Sequence, residues 1–163
     1  MSKQQMEKIE TQEAVARYDK DFFRWTQETA ELLRQRRFDE VDLEHVAEEI
    51  HDMGLRDHRE VRSRLVVLLM HLLKWQYQPE RRSRSWRGTL WEQRRQLSLV
   101  LRDSPTLVHF AANEIETAYS DAIEGAMDET DLPRSSFPKS CPYTASEVLN
   151  KDFLPGPLPT QRS

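Results

Sequence analysis

Val61-Arg62-Ser63-Arg64-Leu65-Val66-Val67-Leu68-Leu69-Met70-His71-Leu72-Leu73-Lys74-Trp75 is the stretch whose reading decides the fold. Val61, Leu65, Leu68, Leu72 and Trp75 recur at spacings of 4, 3, 4 and 3, which brings them back to one side of a helix of 3.6 residues per turn. A half-buried strand would show alternation instead. The same helix extends backwards to Asp42 through Leu43, Val46, Ile50 and Met53. Unbroken to Tyr77 it would measure about 54 Å at 1.5 Å per residue, more than a small domain spans. A kink or break is therefore expected at Gly54.

Proline marks the other boundaries. None occurs in residues 1–78, 80–104 or 106–132, while six of the eight lie between Pro133 and Pro159. Helices are expected in the gaps and an irregular tail after them. Asp19 is a candidate cap for a first helix running to about Arg36, with Phe22, Trp25, Thr29, Leu32 and Leu33 on one side. A third helix is expected from about Ser85 to Arg102, with Trp86, Leu90, Leu97 and Leu101 inward. Ser104 and Pro105 then suit the cap and first turn of a fourth. Its inward stripe reads Val108, Ala111, Ile115, Ala118, Ala122 and Ala126. Beyond Glu129, apolar residues stand beside prolines at Leu132-Pro133, Phe137-Pro138 and Cys141-Pro142-Tyr143, as in a strap laid over the helices. Thr144 and Glu147 form a capping box for one short helix. The expected fold is all-α: a bundle of about four main helices, an irregular proline-rich C-terminal strap and one short helix. Residues 18–155 form a single helical domain in this reading, with flexible segments at 1–17 and 156–163.

Composition excludes several classes. The longest apolar run, Leu65–Leu73, is nine residues with His71 inside it, where a bilayer span takes about 20. The polar start, Met1–Tyr18, lacks the apolar core of a secretory signal. Cys141 is the single cysteine, so neither an internal disulfide nor a multi-cysteine zinc site can form, and a cytoplasmic location is expected. Only four glycines are present, too few for a phosphate-cradling loop, and no cofactor is expected.

Five blocks of sequence are familiar together: Tyr18-Asp19-x-Asp21-Phe22-x-x-Trp25, Glu48-Glu49-Ile50-x-x-Met53-Gly54, His71-Leu72-Leu73-Lys74-Trp75-Gln76, Ser85-Trp86 and Cys141-Pro142-Tyr143. In this order they resemble a bacterial family of unknown function, the one numbered twenty-nine among such domains, over roughly residues 18–155. The resemblance implies an all-α, bacterial, cytoplasmic protein. It implies no activity, since the family has no agreed catalytic or binding residues to carry across.

Charge supplies the functional lead. The total of −4 hides a polarised chain. Asp39–Glu60 holds nine acids and two arginines, Lys74–Arg102 eight bases and two acids, and Glu114–Asp131 seven acids with no base. Trp75, Trp86 and Trp91 lie within the basic stretch. Placing Trp86, Leu90, Leu97 and Leu101 inward puts Arg87, Trp91, Arg94 and Arg95 on the outer face. With Arg82 and Arg84 they form the candidate binding set, an Arg/Trp face suited to a protein partner or a second copy of the chain. One alternative is nucleic acid, whose phosphates attract arginine and whose unpaired bases stack on aromatic rings, through the basic aromatic segment 74–95. The structural alternative is that these arginines neutralise acidic helices of their own chain and cover apolar surface with their stems.

A second lead is metal. Glu48 and His51 stand one helical turn apart with His45 nearby, a fragment of the ligand set a helical bundle uses. No second Glu-x-x-His occurs. His45 and His51 are otherwise expected to be solvated and His71 to be a core histidine with its polar atoms satisfied. A metal-dependent bundle enzyme is thus the third reading, after an interaction module and a nucleic-acid-associated protein. Cys141 precedes a proline with no histidine within several residues and reads as a small buried side chain. Binding rather than chemistry is the expectation.

Overall fold

The computed structural model describes Gln5 and residues 18–156. The segments expected to be flexible, 1–17 and 156–163, lie outside the described residues except for Gln5 and Gly156. Among the described residues there are helices, short 3-10 turns and irregular segments, and no strand. The fold is all-α. Two compact units divide the chain at Leu55 and Arg56.

In the first unit, helix α1 is Phe22–Arg34. Its cap is Asp21 rather than Asp19, because the Asp21 carboxylate is the one that accepts from the Arg24 backbone N–H at 3.0 Å. Trp25 and Thr29 are buried. At the other end Arg36 takes a left-handed φ of 59°, and the backbone N–H groups of Arg36 and Arg37 close onto Leu33 and Leu32. That is a Schellman stop made without glycine. Tyr18 packs edge-on against Trp25 with ring centroids 5.0 Å apart, and against the His45 ring at 4.2 Å.

The long helix α2, Leu43–Tyr77, has 35 residues and passes through Gly54 without a break. Of the kink or break expected there, the break is absent, because glycine keeps its backbone N–H. It costs about 1 kcal/mol of helix propensity against alanine but leaves the hydrogen-bond ladder intact. The two halves of α2 differ in cover. Val61, Leu65, Leu68 and Leu72 are fully buried, whereas Leu43, Ile50 and Met53 remain 56%, 65% and 61% exposed. Periodicity marks a face, and burial needs something to lie on it.

In the second unit, the later turns of α2 contribute a shared core with α3 (Arg84–Asp103), α4 (Leu107–Thr130) and the C-terminal strap. Ser83 caps α3 by accepting from the Trp86 N–H at 3.2 Å. Ser104 ends α3 instead of capping α4, and the first buried residue of α4 is Leu107 while Val108 faces out. Ala111, Ala118, Ala122 and Ala126 lie inward as their spacing predicts, joined by Tyr119 and Ile123. Asp131, in a left-handed conformation with φ 59°, terminates the helix.

The strap docks as expected. Phe137, Tyr143 and Val148 are buried, the Tyr119 hydroxyl donates to the Pro138 carbonyl at 2.9 Å, and the Tyr143 hydroxyl donates to Gln76 Oε1 at 2.6 Å. Leu154 stays partly exposed. The capping box of Thr144 and Glu147 opens α5, Ala145–Leu149.

Candidate interaction surface on the third helix

The basic stretch separates into arginines that hold the fold and arginines that face outward. Lys74 is buried, pairs with Glu129 and stands over the Trp86 ring, 4.6 Å from its centroid. Arg82 lies over Trp75 at 4.9 Å, and its Nε donates to the Trp75 carbonyl at 2.8 Å. Arg94 is buried, and its guanidinium reaches the strap, with Nε donating to the Val148 carbonyl at 2.8 Å and Nη1 to the Phe153 carbonyl at 2.9 Å. Burial pushes Arg94 down to about 10, which still leaves it charged at neutral pH.

Arg94 therefore does not belong to the outward face on which the sequence placed it. It follows Leu90 by four residues and precedes Leu97 by three, so it occupies the inward stripe those leucines define. Arg82 is likewise engaged internally. Of the six candidate binding residues, Arg84, Arg87, Trp91 and Arg95 remain exposed together.

Their spacing makes them one strip. Arg84, Arg87, Trp91, Arg95, Ser98 and Arg102 follow one another at three or four residues along α3, and all are exposed. Arg102 was missing from the sequence-based set although the same periodicity reaches it. Trp91 is 60% exposed, an unusual amount for tryptophan, and the Arg95 guanidinium lies 5.7 Å from its ring centroid. Arg95 also grips Glu92 through two hydrogen bonds of 3.0 and 3.1 Å, and those donors with Gln96 hold the Glu92 carboxyl down to about 2. Among the described residues Arg84 and Arg87 have no hydrogen-bonding or ionic side-chain partner. Both lie in the first turn of α3, which contains no acid, where the helix already presents positive backbone dipole.

The other candidates sort as follows. His45 is half-buried, not solvated: its Nδ1 is 2.6 Å from the Asp42 carboxylate, which raises its pKa, and its ring packs on Tyr18. Tyr18 donates to Glu49 at 2.6 Å, and that bond pushes the phenol up to about 12. Glu48 and His51 are exposed on α2. Among the described residues no three His, Cys, Asp or Glu side chains are placed to share a metal ion. His71 sits in the core with Nδ1 2.9 Å from the Val67 carbonyl. Burial raises the Cys141 thiol to about 11, and its sulfur contacts the Tyr143 carbonyl at 3.5 Å. A thiol held protonated in this way is a poor nucleophile.

The described residues form an all-α fold, and α3 presents an exposed row of arginines around Trp91. The chain belongs to the family described as Domain of unknown function DUF29, which it matches over residues 17–154. No curated protein and no solved structure matches it significantly. Among the described residues no helix is long and apolar enough to cross a membrane.

Proposed function

We propose that the chain is a helical interaction module that binds an acidic protein surface through Arg84, Arg87, Trp91, Arg95 and Arg102. The observation that carries this reading is the pair Arg84 and Arg87, without a side-chain partner among the described residues, in the first turn of α3 and in register with an exposed tryptophan. Placed there, two cations oppose the helix dipole and meet no hydrogen-bonding or ionic side-chain partner among the described residues. A partner carboxylate removes that conflict, and burying Trp91 supplies the apolar anchor that interface hot spots use. Nucleic acid is less favoured, because Lys74, Arg82 and Arg94 are withdrawn into the fold and the chain as a whole is acidic. A bacterial, cytoplasmic setting accords with the family resemblance and with a single, protonated cysteine.

The test uses the full chain and a double variant, Arg84→Glu with Arg87→Glu, against two labelled probes: a helical peptide of Glu and Leu, and a single-stranded oligothymidine. The expected result is peptide binding that weakens as salt rises and is lost in the variant. Binding of the oligothymidine alone would move the function to nucleic acid. Binding of neither probe, with the variant altered only in stability, would remove the face as a binding site.

A further inference from the structure

We infer that the exposed start of α2, from Leu43 to Gly54, pairs antiparallel with the same segment of a second copy of the chain. This surface is distinct from the α3 face, and the pairing does not depend on that face. Leu43 and Ile50 are 56% and 65% exposed. With Ala47 and Gly54, which are also exposed, they follow one another at 4, 3 and 4 residues. At 3.6 residues per turn the four fall within an arc of about 60°. Val46 and Met53 lie on one flank of that arc, and Glu44 and His51 on the other. His45 and Glu49, which meet Tyr18, stand on the far side of the helix, so those contacts leave the arc uncovered. Glu48 and Asp52 also fall on the far side.

The occupant is named by the way the arc complements itself when reversed. A two-fold axis between positions 48 and 49 sets Leu43 opposite Gly54 of the second copy, and Ala47 opposite its Ile50. Each large side chain then meets a small residue, which lets the two helices approach closely and interlock. The same axis brings Val46 beside Met53 on one flank and Glu44 beside His51 on the other. Every one of these contacts is made twice, as an isologous pairing requires. Glu44 and His51 are exposed and have no side-chain partner among the described residues, so a carboxylate and an imidazole are both left for the second copy.

Parallel pairing fits less well, because it would set Ile50 against Ile50 and leave a gap where Gly54 faces Gly54. The apolar row ends at Asp57, the next residue in line with it. The paired segment is therefore only about 17 Å long at 1.5 Å per residue. An interface of this size belongs to the weak, reversible class.

Sedimentation equilibrium on the full chain decides the matter, at moderate salt, which screens the acids of the two segments from one another. Wild type is expected to approach twice the monomer mass as concentration rises. Ile50→Glu is expected to stay monomeric with unchanged helical circular dichroism, since Ile50 is mostly exposed. Glu44→Lys and His51→Glu probe the register. Each alone is expected to associate roughly threefold to tenfold more weakly. An equimolar mixture of the two is expected to recover wild-type association, because the new lysine then faces the new glutamate. Arg84→Glu with Arg87→Glu is expected to associate as wild type does, which separates this pairing from binding at the α3 face. A wild type that stays monomeric overturns the inference, and if deletion of residues 2–16 then yields dimers, the occupant of the arc is that segment of the same chain. A mixture that associates no better than its components overturns the antiparallel register.

Discussion

The Arg94 guanidinium and the Val148 carbonyl, 54 residues apart in sequence, are joined by a 2.8 Å hydrogen bond from Nε. The same side chain donates to Phe153 through Nη1 and approaches the Glu147 carbonyl with Nη2 at 3.5 Å. These carbonyls close α5 and the turn after it, and a five-residue helix leaves most of its carbonyl groups without intrahelical partners. One cation thus satisfies the strap and fastens it to α3.

Replacing Arg94 by alanine is expected to lower unfolding free energy by about 2–4 kcal/mol, the loss of charge-assisted hydrogen bonds together with carbonyls left unsatisfied. Lysine at this position is expected to restore only part of the loss, since one ammonium cannot span carbonyls that a planar fork reaches together. Urea midpoints for the three proteins measure the loss, and limited proteolysis within residues 131–156 should quicken in the alanine variant. An alanine variant with wild-type midpoint and cleavage rate would show that the strap holds without this contact.

Truncation after Thr130 removes Phe137, Tyr143 and Val148 from the core, and each fully buried side chain of that kind contributes about 1.5–3 kcal/mol. Prolines restrict the free strap and so lessen the entropy lost when it docks. The truncated chain is expected to melt lower by on the order of 10 °C, read by circular dichroism at 222 nm. An unchanged melting curve would refute a stabilising strap.

Much of this could be read in the sequence, and particular residues show why the rest could not. The stripe from Val61 to Leu72 was legible because every third or fourth residue is apolar. The strap was legible because Phe137 and Tyr143 stand beside prolines. Arg94 was misread by chemical type, since an arginine between Leu90 and Leu97 occupies a core position by spacing alone. What permits its burial is a set of strap carbonyls about 55 residues away, which no local pattern displays. Leu43, Ile50 and Met53 show the converse: their spacing is helical and apolar, yet nothing local says whether a face will be covered. Asp21 in place of Asp19, and Leu107 in place of Val108, are boundary shifts of one or two residues. The exposed strip on α3 was legible as a period, and recognising it required first assigning Arg94 to the other side.

Gly54 lies in the continuous part of α2, and a Cβ added there meets no atom within 4 Å. Gly54→Ala is therefore expected to stabilise by about 0.5–1 kcal/mol through helix propensity. Gly125 is the contrast, because a Cβ on it would come within 2.8 Å of the Met70 sulfur. Gly125→Ala must displace that side chain and is expected to gain less or to lose stability. Paired urea titrations of the two variants check the difference. A loss at Gly54 would mean that the glycine contributes something other than low helix propensity at this position.

His71 gives the fold an acid-sensitive element. Burial in the core lowers its pKa and Lys74 acts in the same direction, against the opposing influence of the Val67 carbonyl and of Glu129. The unfolded chain, with an ordinary histidine pKa of about 6.5, takes up this proton before the folded chain does. Stability from His71 is therefore complete above about pH 6.5 and is lost as pH falls from there through the folded value. His45 acts oppositely: its pKa is raised by Asp42, so its contribution is complete below about pH 6.5 and fades as pH rises. A wild-type pH profile mixes the two, and the difference between wild type and His71→Leu separates them. Leucine keeps the core volume and cannot titrate, so its advantage over wild type should grow as pH falls from 7.5 to about 5.5, above the range where most carboxylates protonate. Urea midpoints across that interval measure it. A constant difference between the two proteins would show that His71 titrates alike in the folded and unfolded chain.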